Sequence, residues 1–234
     1  TLHRAGGRLP GMNFLRHSLI IAAKDLSIEL RARERIVSML TYAVLVAVVF
    51  SFSLDVAVRP RTIAGAMIWV TILFSGMLGL GRSFSSEREQ ETIVGVLLTP
   101  IDRGSLYFGK LLSNLALLLV ATLAIYLVYA LFFQLVLSRV AGLALVTVLA
   151  SIGFMALGTL FSAIASSTRM GDTLLPILLL PLLVPVVIYG VSSTQALLTD
   201  RPLSEVMGSV RMLAAFDIVF VLACTTIFGA VVEE

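Results

Sequence analysis

Six stretches of this chain run for 19 to 29 residues with almost no charge. They are Ile36–Leu54, Thr62–Gly81, Leu111–Ser138, Val140–Thr168, Thr173–Thr199 and Met212–Val232, and only the last is interrupted, by Asp217. Roughly 20 apolar helical residues cross the hydrocarbon core of a bilayer. A backbone in lipid must satisfy its own N–H and C=O groups, which leaves helices or closed barrels. Leu, Ala, Val and Ile follow one another here without the strict alternation of a barrel strand. The sequence therefore predicts an all-α, polytopic membrane protein with six transmembrane helices over residues 36–232. Composition agrees: 13% of residues are charged, where a soluble domain carries about 25%, and the mean hydropathy is +1.03. The single cysteine, Cys224, excludes an internal disulfide.

Basic residues set the orientation. Twelve of the 17 Lys and Arg fall before the first run, between the second and third, or between the fourth and fifth. The other five are Arg59, Arg61, Arg139, Arg201 and Arg211. The positive-inside rule places the twelve, and with them both termini, in the cytoplasm. The first run ends at "SLDVAVRP", which lacks a small-residue cleavage pattern, so it reads as a retained span.

Residues 1–13 read as a flexible extension, with Met12 a candidate start residue. Over 14–35, Leu15, Leu19, Ala22, Leu26 and Leu30 recur at steps of three and four, while Arg16, Lys24, Asp25 and Arg31 lie mostly elsewhere. This predicts an amphipathic helix in the cytoplasmic interface. A soluble helix packed on a partner is the alternative.

The loop over residues 82–110 reads "RSFSSEREQETIVGVLLTPIDRGSLYFGK". Ser86 and Glu89 form a capping box, and Glu87, Glu89 and Glu91 favour a helix N-terminus. Ile93, Val94, Leu97 and Leu98 supply an apolar stripe before Pro100 ends the helix. A short amphipathic helix is expected at about 86–99. It lies on the bilayer or inserts into a groove on a cytoplasmic partner, and its acidic start favours the protein. "GSLYFGKL" has the glycines and lysine of a nucleotide-binding P-loop, but Leu111 replaces the hydroxyl that would hold magnesium and no strand precedes it. Gly104 then serves a turn, and Lys110 snorkels from the start of the third span. No nucleotide-binding core fits in the remaining loops.

These stretches resemble the cytochrome c maturation protein B family (CcmB, also called haem exporter protein B), within the ABC-2-type membrane subunits of ABC transporters. The likeness runs from about Phe14 to the end. It rests on "IWVTILFSGMLGLGRSF", "EREQETIVGVLLTPIDRGSLYFGK", "LGTLFSAIASSTRMGDTLLPILLLPLLVPVVI" and the six-span layout with an amphipathic N-terminal helix. The resemblance implies a multi-pass subunit of the bacterial inner membrane. It would work with a cytoplasmic ATPase subunit (CcmA), with CcmC and CcmD, and indirectly with the haem chaperone CcmE. ATP would be bound by the ATPase subunit, and haem handled by the complex. The helix at 86–99 would be a coupling helix, with Glu87, Arg88, Glu89, Gln90, Glu91, Leu97 and Leu98 meeting the ATPase. Gly81 and Arg82 stand where other members can carry an acidic residue. Two other functions compatible with the pattern are an ABC-2 exporter for a lipid, polysaccharide or drug, and a passive assembly scaffold.

No directly bound cofactor is expected. Axial haem ligation usually uses His, Cys, Met or Tyr, yet His3 and His17 both fall on the cytoplasmic side and no C-x-x-C-H occurs. Met67, Met77 and Met155 read as lipid-facing or packing residues. Pro176, Pro181 and Pro185 each remove a backbone donor from the fifth span. They either bend it for a conformational cycle or are simply tolerated, as proline is in membrane helices. Gly158, Ser162 and Ser166 form a small-residue repeat where a helix can approach the fourth span. Asp217 is expected towards the outer surface, water-exposed or paired with Arg211, with a proton or substrate site as the alternative.

Overall fold

A computed structural model describes residues 10–53, 60–81, 103–135, 137–166 and 171–231. The described residues form seven α-helices: α1 (Pro10–Ala32), α2 (Glu34–Ser53), α3 (Ala64–Gly81), α4 (Arg103–Phe133), α5 (Val140–Ser166), α6 (Gly171–Leu198) and α7 (Leu203–Val231). A 3-10 turn at Pro60–Thr62 leads into α3. Helices α2 to α7 are each long and apolar enough to cross a membrane. The protein is a polytopic all-α membrane protein.

The central helices are α3 and α5. Trp69, Ile68 and Ile72 of α3 and Phe154, Met155 and Ala156 of α5 are buried. Helix α3 packs against α2, α4 and α6, and α5 packs against α4, α6 and α7. The outward faces of α2, α6 and α7 carry Leu45, Phe52, Val184, Ile188, Ile218 and Leu222, all exposed. In a membrane this surface meets hydrocarbon and costs nothing to expose.

Close approach depends on small residues. A Cβ at Gly190 of α6 would lie 2.9 Å from the Trp69 ring. The Trp69 indole N–H donates to Thr194 Oγ1 at 2.9 Å, so the ring is satisfied where α3 meets α6. Pro176, Pro181 and Pro185 all lie inside α6, which runs without a break past them.

Three helices end at a residue in the left-handed region: Gln134 (φ 50°) follows α4, and the other two carry defined caps. Arg33 (φ 60°) closes α1, and its N–H bonds the Glu29 carbonyl at 2.7 Å. This single-bond cap leaves α2 to start at the next residue. Asp200 (φ 64°) closes α6, with Asp200 N–H on Leu197 O at 3.2 Å and Arg201 N–H on Ala196 O at 3.0 Å. That pair of bonds is the Schellman arrangement.

Asp200 also gathers the loops at its end of the bundle. Its carboxylate accepts from Ser138 and pairs with Arg61, while its carbonyl accepts from Arg139 at 3.2 Å. Arg61 Nε donates to Leu198 O at 2.7 Å, and Gln195 spans from Arg61 O to the Gly65 N–H. The Ser138 hydrogen bond, then Arg61, hold the Asp200 carboxyl below its ordinary value. A depressed folded value means a contribution to stability that is present above the unfolded carboxylate range and lost as pH falls through the folded value. Asp200→Asn keeps a residue that tolerates the left-handed turn and removes only the charge. The wild-type melting temperature is expected to fall on acidification, and the Asn variant to show a flatter acid limb, measured by thermal unfolding in micelles.

Several helix ends differ from the apolar runs. Helix α4 begins at Arg103, eight residues before Leu111, and α7 begins at Leu203, nine before Met212. Gly104 sits in the first turn of α4 and not in a connecting turn. A P-loop needs its first glycine in a loop ahead of the helix, whereas Gly104 and Gly109 both lie inside α4. The expected helix at about 86–99 lies outside the described residues.

Candidate functional site: the polar junction of α1 with the bundle

Helix α1 has three faces. Leu15, Leu19 and Leu30 are exposed, and so are Arg16, Lys24 and Arg31 on another side. The third face carries Phe14, Ser18, Ile21, Asp25 and Glu29 at steps of three and four, and it packs along α4. The helix thus presents an apolar surface outward while lying directly on the protein.

Gly109 is what lets α1 come so close. A Cβ there would lie 2.7 Å from Ile21 Cβ and 2.9 Å from the Ser18 carbonyl oxygen. Ser18 Oγ donates across the contact to the Ser105 carbonyl at 3.1 Å, and the Phe14 and Phe108 rings meet at 6.0 Å.

One residue past Gly109, Lys110 turns inward. It is 4% exposed, and its Nζ lies 2.9 Å from Asp25 Oδ2. Lys110 therefore does not snorkel. With α1 laid over it, the ammonium finds a carboxylate nearer than water. A turn further along, Arg35 of α2 lies 3.5 Å from Glu29 and donates to Asn114 Oδ1 at 2.9 Å. Asn114 Nδ2 donates onward to Thr159 Oγ1 of α5 at 3.1 Å. The Arg35 backbone N–H also bonds Glu29 Oε1, at 3.1 Å. Two ion pairs and the two hydrogen bonds of the Asn114 amide so tie α1, α2, α4 and α5 together.

The same end of the bundle holds further ties. Tyr107 OH donates to Ala156 O at 2.8 Å, its ring packs on Phe228 at 5.3 Å, and Arg103 reaches Gly229 O at 3.4 Å. Ser162 Oγ donates to Leu80 O at 2.7 Å, and Gly158 leaves room for the Leu80 side chain. The neighbour of Gly158 and Ser162 is therefore α3 of the same chain. Ser166 bonds Ala163 O within its own helix.

This junction sits where residues 82–102 leave α3 and enter α4. Glu87, Arg88, Glu89, Gln90, Glu91, Leu97 and Leu98 all lie outside the described residues. The junction holds no nucleophile beside a base. Among the described residues, no group of three or more His, Cys, Asp or Glu is placed to hold a metal ion. Its chemistry is mechanical: charges that fix helices to one another at the base of a loop. Asp25 is visible in the sequence as a polar residue off the leucine face, but its partner is 85 positions away. In-phase Ser18, Asp25 and Glu29 on α1, and Lys110 and Asn114 one turn apart on α4, are the signal that two polar stripes meet.

Asp217 is placed differently from its expectation. It lies at the middle of α7, 7% exposed, against Gly153 of α5, while Arg211 is exposed. It is neither water-exposed nor paired with Arg211. The helix begins well before the apolar run, which moves residue 217 from the surface to the midpoint.

Comparison with known proteins agrees with this architecture. Heme exporter protein B of Pseudomonas aeruginosa is 30% identical over 149 residues, which are 62% of this chain and 65% of that protein. The chain thus spans just under two thirds of the curated relative it matches. The CcmB protein family matches residues 16–234, from α1 through all six membrane-crossing helices, and the chain belongs to that family.

Proposed function

We propose that this chain is the membrane subunit of an ABC-type complex for cytochrome c maturation in the bacterial inner membrane. Its termini are cytoplasmic, a partner ATPase subunit (CcmA) hydrolyses ATP, and the stroke is passed to haem transfer or haem chaperone (CcmE) release on the periplasmic side. CcmC and CcmD complete the membrane part. The chain itself binds no ATP, and haem is held by its partners. Membership of the CcmB family carries this reading, and the name of the Pseudomonas aeruginosa relative supports haem export as the cargo class.

In this reading residues 86–99 form the coupling helix, and Glu87, Arg88, Glu89, Gln90 and Glu91 with Leu97 and Leu98 meet the ATPase. The junction of α1 with α4 supports it, because a loop that receives a stroke needs a stiff base. Pro176, Pro181 and Pro185 give α6 sites at which to bend, and Gly158 with Ser162 keeps α5 tight on α3. The experiment is ATPase pull-down with wild type and a Glu87→Lys/Glu91→Lys/Leu97→Glu variant, scored together with haem attachment to c-type cytochromes. Loss of both, with the variant still inserted in the membrane, is expected. Retained binding with normal haem attachment would overturn the coupling role.

A further inference from the structure

Asp217 sits 14 residues from either end of α7, about 21 Å along the helix axis in each direction. It is buried, and its carboxyl has no side-chain partner among the described residues; the nearest polar group is the Gly153 backbone, which falls short of a full hydrogen bond. A Cβ at Gly153 would lie 2.8 Å from Asp217 Oδ1 and 3.4 Å from Val186 of α6, so the absent side chain of Gly153 is the space the carboxyl occupies.

Among the described residues no counter-charge faces it. Helix α5 has no charged residue, and α6 has none from Thr173 to Leu198. Tyr189 is the titratable group of α6 nearby, and its ring packs on Phe216. On α4, the third helix against α7, Tyr107 is committed to Ala156 O and Lys110 to Asp25. On α7 itself, Arg211 and Glu205 lie towards one end and are exposed, and Cys224 is nearly two turns towards the other. An acid without a partner inside a membrane bundle is costly when charged, and such residues mark working sites.

We propose that Asp217 is a proton-binding site inside the helical bundle, packing on Gly153 as a neutral carboxylic acid and parting α7 from α5 when the proton leaves. The O–H bond breaks, the proton passes to water admitted as the helices separate, and the carboxylate is then solvated by that water. Re-protonation closes the contact. The site would make the α5–α7 packing respond to proton supply, independently of which cargo the complex handles.

The test is infrared difference spectroscopy of the full chain in phosphatidylcholine vesicles, between mildly acidic and alkaline buffer. A protonated-acid carbonyl band is expected in wild type, shifted in heavy water, lost at alkaline pH and absent from Asp217→Asn. Asp217→Glu, which keeps an acid and should move the band, secures the assignment if the Asn variant does not insert. Thermal unfolding gives a second readout. A group that binds its proton more tightly when folded contributes stability at low pH that is lost as pH rises. Wild type should therefore melt lower in alkali, and Asp217→Asn should lose that dependence. No acid band that depends on residue 217, or an Asn variant with unchanged pH dependence, would overturn the proposal.

Discussion

Lys110→Ala should cost about 3 kcal/mol of stability, at the lower end of the roughly 3–5 kcal/mol range for breaking a buried ion pair. The loss comes less from the missing attraction than from the carboxylate left behind. Asp25 is 14% exposed in its side chain, and its remaining cationic neighbours are Lys24, 3.7 Å from Oδ1, and Arg35, which is itself paired with Glu29. Lys24 is half in solvent and compensates only in part, which is why the lower end of the range applies. Against a total of about 5–15 kcal/mol for a folded domain, this is a large fraction. The paired replacement Lys110→Met with Asp25→Leu should be much milder, because it removes both charges and leaves apolar groups in their place. Denaturation in micelles of the two singles and the double reads this out. If the double is as unstable as Lys110→Ala, the orphaned charge is not the cause.

Gly109→Leu should lift α1 from α4. The first added atom would already stand 2.7 Å from Ile21 Cβ and 2.9 Å from a backbone oxygen. Neither is the free end of a flexible side chain, so the helix as a whole must move. Overpacking of this kind costs about 1–3 kcal/mol before any contact is lost. Here the lifting would also open the Asp25–Lys110 pair, so the two effects would not add independently. Cysteines placed at Ser18 and Ser105, in a Cys224→Ser background, report the contact directly. Efficient cross-linking in that background and a several-fold drop on adding Gly109→Leu are expected. Unchanged cross-linking would mean the approach is looser than the structure shows.

The spans were legible because lipid leaves a chain few choices: a run of 20 apolar residues in a membrane is a helix. Their ends were less so. An uncharged run stops at the first Lys or Arg, as if every charge belonged in water. Lys110 breaks that assumption because α1 brings Asp25 to it. Arg211 lies inside α7 because a helix continues past the membrane surface. The first error comes from a tertiary partner that no local window contains; the second comes from starting a helix at its apolar run, and it misplaced Asp217. The candidate junction was half visible. Periodicity separated Leu15 and Leu19 from Asp25, but only packing shows that Asp25 and Glu29 turn towards α4 and α2. Gly109 was noticed for its resemblance to a phosphate loop, whereas its lack of a side chain serves helix packing.

The one-residue joint at Arg33 makes length, and not only composition, a constraint on this chain. Helix α1 is fixed in phase by Asp25 and Glu29, and α2 by the buried stripe of Met39, Ala43 and Ala47. With Arg33 alone between them, no slack remains to absorb a change in count. One residue inserted within α2 ahead of Met39 would turn that stripe by about 100° relative to α1 and carry it round towards the lipid. The two helices therefore behave as a bent crank of fixed phase, in which turning one arm about its axis must turn the other.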